Sequence, residues 1–213
     1  MPPIPTTRPP IRGVILAGGG ATRFGGRAKG LESIGGERIL DRLATLLQTV
    51  TGTAPILVAN APDAPSWRPD LQTIPDVRPA AGALGGLLTA VLAAAPAAAL
   101  VVAWDMPFVS AGLLQALADQ LAEADAALPE SAGRRGVEPL CAAYGPGCGG
   151  PIAAAIDRGD LRAIAFHSAV RISILPLAEV RRHGDPALLF FNVNTAEDLA
   201  RAEALWQLGS SRS

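Results

Sequence analysis

The residues best suited to chemistry lie near the N-terminus, in the glycine-rich stretch ILAGGGATRFGGRAKGL that runs from Ile15 to Leu31. Glycines let the backbone adopt unusual dihedral angles and approach a ligand closely, and the N–H groups of such a loop can bind anionic oxygens directly. Arg23 and Lys29 add positive charge within the same stretch. These residues predict a loop that wraps around a chain of phosphates.

This loop departs from two common phosphate-binding templates. The dinucleotide fingerprint G-x-G-x-x-G, if it began at Gly18, would require a third glycine where Arg23 stands. The P-loop G-x-x-x-x-G-K-[ST] requires a glycine directly before its lysine, whereas Lys29 follows Ala28. An NAD-dependent dehydrogenase is therefore disfavoured, and so is a P-loop protein.

The elements that must position this loop alternate between buried strands and helices. Short apolar runs predict strands, and apolar residues at helical spacing predict helices. The predicted strands are 12–16, 56–59, 73–74 and 99–104, and the predicted helices are 39–50, 84–95 and 111–123, the last one capped by Ser110. This order predicts an α/β, Rossmann-like fold of three layers, in which helices cover both faces of a mainly parallel sheet.

The second half of the chain is less regular. Strand-like segments at 126–128 and 139–144 flank the polar sequence SAGRRGVE, which predicts a hairpin-like antiparallel insertion. The sequence Thr195-Ala196-Glu197-Asp198 has the form of a capping box, so a final helix is predicted from there to about Gln207. Further helices are predicted at 151–157 and 161–166, and further strands at 171–175 and 188–193.

No internal repeat or domain linker is visible, so we expect a single domain. Its predicted range is 11–208, between a disordered Pro-rich tail at 1–10 and a flexible C-terminus at 209–213. The Pro-rich start does not have the form of a signal peptide, and Pro96 interrupts the most apolar run. We therefore expect a cytoplasmic protein without a membrane-spanning segment.

Composition excludes several classes of function. Of the 213 residues 49% are hydrophobic and 17% are charged, which is typical of a compact globular protein. The net charge of −1 offers no electrostatic basis for binding nucleic acid or an acidic membrane surface. Cys141, Cys148, His167 and His183 stand apart from one another without metal-ligand spacing, so neither a zinc site nor a disulfide framework is expected.

The loop motif L-A-G-G-x-x-x-R-x-G-x-x-x-K-x-L resembles the signature of α/β nucleotidyltransferases, and its LAGG form is typical of molybdenum cofactor guanylyltransferases. The resemblance extends over residues 12–205 and depends on an ordered set of motifs, each of which is weak alone. That set comprises Val58-Ala59-Asn60, Asp76 ahead of the G-x-L-G-G-L of 82–87, the D-M-P-F of 105–108 and the N-V-N-T of 192–195.

The resemblance implies transfer of GMP from GTP to molybdopterin, with release of pyrophosphate and formation of the guanine dinucleotide form of the cofactor. The attacking phosphate monoester is already mostly dianionic near neutral pH, so no general base is needed. Catalysis then consists of positioning and charge neutralisation, for which the family pattern implies Arg23 and Lys29 at the phosphates and Asp105 as the ligand of Mg²⁺. The implied nucleotide-binding residues are Leu16, Ala17, Gly18, Gly19, Lys29, Asn60, Asp76 and Asp105.

The acceptor side rests on fewer residues. Asn192 and Asn194 are candidates to face the pterin or to help position the metal; alternatively, they only support the last helix, with Asn194 as its N-cap. Arg162 is a candidate for the acceptor's phosphate, with an exposed helical arginine as the alternative. Two positions depart from the family pattern: Ala28 stands where an acidic residue usually precedes the lysine, and Glu138 where relatives often carry His.

The family also implies protein partners, namely a molybdenum-insertion protein and the recipient molybdoenzymes or their chaperones. Two other functions stay open. A related nucleotidyltransferase, such as a molybdopterin cytidylyltransferase or a sugar-nucleotide pyrophosphorylase, would share the loop and Asp105, and so in part would a non-catalytic GTP-binding module. Because those transferases more often carry L-A-A-G, we hypothesise that Gly18 leaves space beside a purine.

Overall fold

A computed structural model describes residues 10–18, 29–133 and 136–210. The predicted tail therefore lies outside the described residues apart from Pro10, as do Gly19 and Arg23 of the glycine-rich loop. The strands are β1 (Ile11–Leu16), β2 (Ser33–Ile34), β3 (Glu37–Arg38), β4 (Ile56–Val58), β5 (Gln72–Ile74), β6 (Ala98–Ala103), β7 (Ala126–Pro129), β8 (Cys141–Tyr144) and β9 (Ile172–Leu175). The α-helices are α1 (Ile39–Thr51), α2 (Ala64–Trp67), α3 (Gly82–Ala94), α4 (Ala111–Asp119), α5 (Gly149–Asp157), α6 (Leu177–Val180), α7 (Pro186–Leu189) and α8 (Ala196–Ser210).

The main sheet has the strand order β5-β4-β1-β6-β8-β7-β9. Strands β5, β4, β1 and β6 are parallel neighbours, and β1 pairs with β6 over its whole length, from Ile11 opposite Ala98 to Leu16 opposite Ala103. Strand β8 runs antiparallel to both β6 and β7, while β9 is parallel to β7. The expected parallel sheet with an antiparallel insertion in its second half is confirmed.

Helices cover both faces of this sheet. Alternate residues of β6 separate the two layers: Leu100 and Val102 pack in the cluster that holds the buried side chains of α1 and α4, whereas Val101 packs in the cluster that holds those of α3 and α5. All six residues of β6 are buried, because side chains on both faces meet a helix layer. This explains why the central strands are continuous apolar runs and confirms the three-layer α/β architecture.

Two predicted elements are wrong. Residues 161–162 have no regular structure and residues 163–166 form turns, so the predicted helix is absent; the short apolar segment alone does not specify a helix. Residues 188–193 do not form a strand. Asp185 caps helix α7 by accepting from the N–H of Ala187 at 2.9 Å, and Pro186 starts that helix with a pre-set backbone angle.

The capping box of the last helix is confirmed. The hydroxyl of Thr195 accepts from the N–H of Asp198 at 3.1 Å, and the Asp198 carboxylate accepts from the N–H of Thr195 at 3.0 Å. The residue that caps α8 is therefore Thr195, and the interpretation of Asn194 as the N-cap is wrong. The side chain of Asn194 is left to make a different contact.

The remaining exclusions concern membranes and metals. Among the described helices, none combines the length and the apolar character that crossing a bilayer requires. Cys141 and Cys148 are buried free thiols, and the Cys148 thiol donates to the carbonyl of Asp125 at 3.2 Å. Within the described ranges, no three side chains of His, Cys, Asp or Glu come together as a metal-binding group.

Candidate active site

Four of the predicted site residues each follow one of four adjacent parallel strands. Gly18 follows β1, Asn60 follows β4, Asp76 follows β5 and Asp105 follows β6. Because the carboxyl ends of parallel strands meet at one edge of a sheet, these residues come together although they are far apart in sequence. They line a cleft of about 740 Å³, a volume in the range of small-molecule sites. The same cleft is lined by the predicted residues Leu16, Ala17, Lys29, Asn192 and Asn194.

A cation and a carboxylate lie together in this cleft. The Lys29 side chain is buried to 7% exposure, and its ammonium donates a hydrogen bond to the Asn194 side-chain oxygen at 2.7 Å. Burial raises the pKa of the Asp105 carboxyl above its ordinary value, and the nearby charge of Lys29 acts in the opposite direction. The hydrogen-bond partner of the Lys29 side chain is a neutral amide and not a carboxylate, which leaves this side chain able to bind an anionic ligand.

The N-V-N-T segment reaches this part of the cleft through a backbone contact. The N–H of Val193 donates to the carbonyl of Asp105 at 2.8 Å, and the Val193 side chain is fully buried. Asn192 and Asn194 flank this anchor and both line the cleft. The side-chain amide of Asn192 donates to the carbonyl of Phe190 at 2.9 Å, which fixes its orientation. The alternation N-V-N thus places one side chain in the core and two at the cleft.

A second polar pair lies just after the strands β4 and β5. The Asn60 side-chain amide donates to the Asp76 carboxylate at 2.7 Å. The side-chain oxygen of Asn60 accepts from the backbone N–H of Asp76 at 2.8 Å. Asp76 is held further by its neighbour, since the N–H of Val77 donates to the buried Thr89 hydroxyl at 3.0 Å. These two hydrogen bonds join Asn60 to Asp76 at the cleft, and the one from the Asn60 amide orients the carboxylate.

Several lining residues were not predicted as site residues. The loop between β5 and α3 contributes Ala80, whose φ of +67° lies in the left-handed region that non-glycine residues rarely adopt. No sequence signal marks an alanine for this conformation. Trp104 and Met106, which flank Asp105, also line the cleft, as does Glu138. Trp104 and Met106 are adjacent to Asp105 in sequence, and that adjacency is the signal that could have identified them.

Three predicted residues are not brought into the described site. Gly19 and Arg23 lie outside the described residues. Arg162 is described but is not among the residues that line the cleft; its exposed guanidinium forms an ion pair with Asp160 at 2.6 Å. The alternative interpretation, an exposed helical arginine, is confirmed in its exposure but is wrong about the helix.

Comparison with known proteins places this site in a family. Residues 13–172 match the family described as the MobA-like NTP transferase domain. A probable molybdenum cofactor guanylyltransferase from Pelotomaculum thermopropionicum is 33% identical over 193 residues, which cover 91% of this chain and 92% of the relative. A molybdenum cofactor guanylyltransferase from Desulfosudis oleivorans is 29% identical over 201 residues, covering 93% and 97%.

The fold has a close counterpart among solved structures. The molybdopterin-guanine dinucleotide biosynthesis protein A from Archaeoglobus fulgidus superposes with a TM-score of 0.76 at 24% identity, covering 92% of this chain and 99% of that one. The family match spans the strands β1, β4, β5 and β6, whose carboxyl ends carry the cleft. This chain belongs to the family of MobA-like NTP transferases.

Proposed function

We propose that this protein transfers GMP from GTP to molybdopterin, forming molybdopterin guanine dinucleotide and releasing pyrophosphate. One observation carries the proposal: a single cleft holds a buried cation beside a carboxylate, Lys29 and Asp105, together with the oriented Asn60–Asp76 pair. The first group suits a triphosphate and the second suits a nucleobase. The names of relatives that cover nine-tenths of the chain agree with this assignment.

The reaction is the attack of a terminal phosphate monoester of molybdopterin on the α-phosphorus of GTP. A new P–O bond forms to the acceptor oxygen, the bond between the α-phosphorus and the bridging oxygen breaks, and pyrophosphate leaves with that oxygen. The acceptor is mostly dianionic at neutral pH, so no proton has to be removed from it. The main barrier is the approach of two anions, and Lys29 lowers it by placing a fixed positive charge where negative charge accumulates.

Asp105 fits the way in which proteins bind Mg²⁺ on nucleotides. Such an ion takes one or two carboxylates from the protein and completes its coordination with phosphate oxygens and water, so a dedicated cluster of acidic residues is not required. The Asp105 carboxyl, whose pKa is raised by burial, gains from a nearby cation when it ionises. Mg²⁺ bound there would neutralise phosphate charge, while Lys29 and Asn194 hold the position of the ammonium beside it.

The Asn60–Asp76 pair offers a guanine-selective contact. Guanine presents adjacent N–H donors on one edge. The Asp76 carboxylate is an acceptor held by one hydrogen bond from the Asn60 amide, and the Asp76 backbone N–H donates to the same Asn60 side chain. Cytosine presents one exocyclic amine on that edge and no adjacent ring N–H, so it offers this carboxylate fewer donors than guanine does. Asp76 therefore favours GTP over CTP. Among the described residues no atom lies within 4 Å of a Cβ built on Gly18, which is compatible with a purine at this position.

The test is a direct assay of the purified protein with molybdopterin, Mg²⁺ and either GTP or CTP. We expect pyrophosphate release and dinucleotide formation with GTP. A preference for CTP would assign the protein to the cytidylyltransferases instead, and binding of GTP without any turnover would indicate a non-catalytic module. Lys29→Ala and Asp105→Ala should each lower kcat/KM by about 100-fold or more if they act on the transition state. Unchanged turnover in both variants would refute the assigned roles.

Lys29 also permits a test that does not depend on the acceptor. It is the only lysine in the 213-residue chain, so an amine-selective reagent can label only Lys29 and the N-terminal amine. If the ammonium binds the phosphates, GTP with Mg²⁺ should protect Lys29 from labelling, as measured by peptide mass spectrometry. The N-terminal amine is the internal control and should label at the same rate with and without nucleotide. The protein partners that the family resemblance implies remain predictions.

A further inference from the structure

The turn that carries Lys29 lies directly against an aromatic ring. Residues Lys29–Leu31 form a 3₁₀ turn, and its central residue Gly30 is buried. A Cβ atom built on Gly30 would lie 2.4 Å from Cε3, 2.9 Å from Cδ2 and 3.2 Å from Cζ3 of Trp104. Carbon atoms in contact are normally about 3.5 Å apart or more, so no side chain fits between this backbone and the indole.

Trp104 is itself held in place. Its backbone N–H donates to the carbonyl of Leu16 at 3.1 Å, and its ring stacks on Trp67 with centroids 5.3 Å apart and an angle of 19° between the planes. The indole N–H of Trp67 in turn donates to the Asp63 carboxylate at 3.0 Å. Trp104 is 4% exposed and Trp67 is 8% exposed. Stacking and burial therefore restrict movement of the Trp104 ring away from Gly30.

The two groups that meet the triphosphate are each one residue away from this contact. Lys29 precedes Gly30, and Asp105 follows Trp104. The contact between the Gly30 backbone and the Trp104 ring thus sets how closely the segment carrying the ammonium approaches the segment carrying the carboxylate. The hydrogen bond from Lys29 to Asn194 fixes the end of the lysine side chain, and the N–H of Glu32 donates to the Lys29 carbonyl within the turn at 3.1 Å. The Trp104 ring limits how closely this turn as a whole approaches the segment that carries Asp105.

We propose that Trp104, backed by Trp67, is a positioning residue for the reaction: its ring sets the place of the Lys29 backbone relative to Asp105. This inference rests on the proposed function, in which Lys29 and Asp105 act on the same triphosphate. Glycine at position 30 is then a requirement of the ring and not of a bound nucleotide.

The test combines Gly30→Ala with Trp104→Leu. A methyl group at position 30 must move the turn by about 1 Å to reach a normal contact distance, and a displacement of that size at a catalytic group lowers the rate by about 100-fold. We expect this loss in kcat, with a smaller change in KM for GTP. The labelling rate of Lys29 by an amine-selective reagent should rise, because the lysine leaves its buried position. The matched control is Gly150→Ala, which lies on an exposed face of helix α5 with no described atom within 4 Å of the new methyl. It should change neither kcat nor the labelling rate of Lys29.

The double variant distinguishes positioning from a general loss of packing. Trp104→Leu removes the six-membered ring that meets Gly30, so adding Gly30→Ala to it should change kcat and Lys29 labelling by less than about 3-fold. Where Trp104→Leu does not fold, Trp67→Phe gives the Trp104 ring room from behind and should lower the loss caused by Gly30→Ala. Equal losses from Gly30→Ala with and without the second substitution would overturn the proposal, as would wild-type kcat and labelling in folded Gly30→Ala protein.

A failure of the proposed function would be visible separately. It would leave the wild-type protein without dinucleotide formation from GTP and molybdopterin. The positioning role is then measured by Lys29 labelling and by calorimetric binding of inorganic triphosphate with Mg²⁺, which require neither the base nor the acceptor. Gly30→Ala should weaken triphosphate binding in the wild-type background and not in the Trp104→Leu background.

Discussion

The substitution Gly18→Ala should separate nucleotide selectivity from stability. Gly18 is exposed at the end of β1 and lines the cleft. It is not among the glycines with positive φ, and a Cβ built on it meets no atom of the described chain within 4 Å. An alanine is therefore compatible with the native backbone. Because alanine restricts the unfolded chain more than glycine does, the free energy of unfolding should rise by about 0.4–1 kcal/mol.

The same methyl group should hinder the bound base. Gly18 lines the cleft and a Cβ there contacts none of the described residues, so a side chain takes volume from the ligand and not from the described core. Forcing one extra carbon into an occupied site costs about 1–3 kcal/mol, which corresponds to about a 5- to 150-fold loss in kcat/KM for GTP. The single ring of CTP needs less room, so its kcat/KM should fall less, and the preference for GTP over CTP should shrink.

The assay measures kcat/KM for GTP and for CTP, together with urea unfolding, for the wild-type protein and for Gly18→Ala. Gly150→Ala controls for the general effect of replacing an exposed glycine, since it lies on helix α5 away from the cleft. The reasoning is refuted if a folded Gly18→Ala protein keeps the wild-type kcat/KM for GTP. Equal losses for GTP and CTP would refute the claim that Gly18 provides space for a purine.

Three further predictions concern charge, strain and a surface arginine. Asp105→Asn should abolish turnover yet raise the free energy of unfolding at neutral pH, because burial raises the pKa of the folded-state carboxyl and ionised Asp105 then destabilises the fold. The difference from the wild type should vanish below about pH 3, where the carboxyl is protonated in both the folded and the unfolded state, and a pH series of urea unfolding checks it. Ala80→Gly should raise the free energy of unfolding by up to about 1 kcal/mol by relieving a φ of +67°, and an equal or lower midpoint in urea would contradict this. Arg162→Ala should leave KM for molybdopterin unchanged, because this side chain pairs with Asp160 outside the cleft, and a clear rise in that KM would restore its predicted acceptor role.

Local patterns predicted much of the fold. The apolar run of β6 and the helical spacing of α1 identify their elements because buried side chains repeat with the period of the element. The capping box at Thr195 was visible because its hydrogen bonds join residues three apart. The errors at 161–166 and 188–193 arose because periodicity does not distinguish helix, strand and turn in short apolar segments; at 186–189 the cap by Asp185 favours a helix.

The sequence by itself determined which residues are available for chemistry: a glycine-rich loop with its lysine, an aspartate after a buried strand, and the asparagines of the N-V-N-T segment. Only the tertiary structure decided which of them meet. Lys29 and Asn194 are 165 residues apart, and Asn60 and Asp76 are joined by two hydrogen bonds because β4 and β5 are adjacent strands. The contact of Trp104 with Gly30 had no signal in either residue alone, because a clash distance depends on how two distant segments pack and not on the composition of either one.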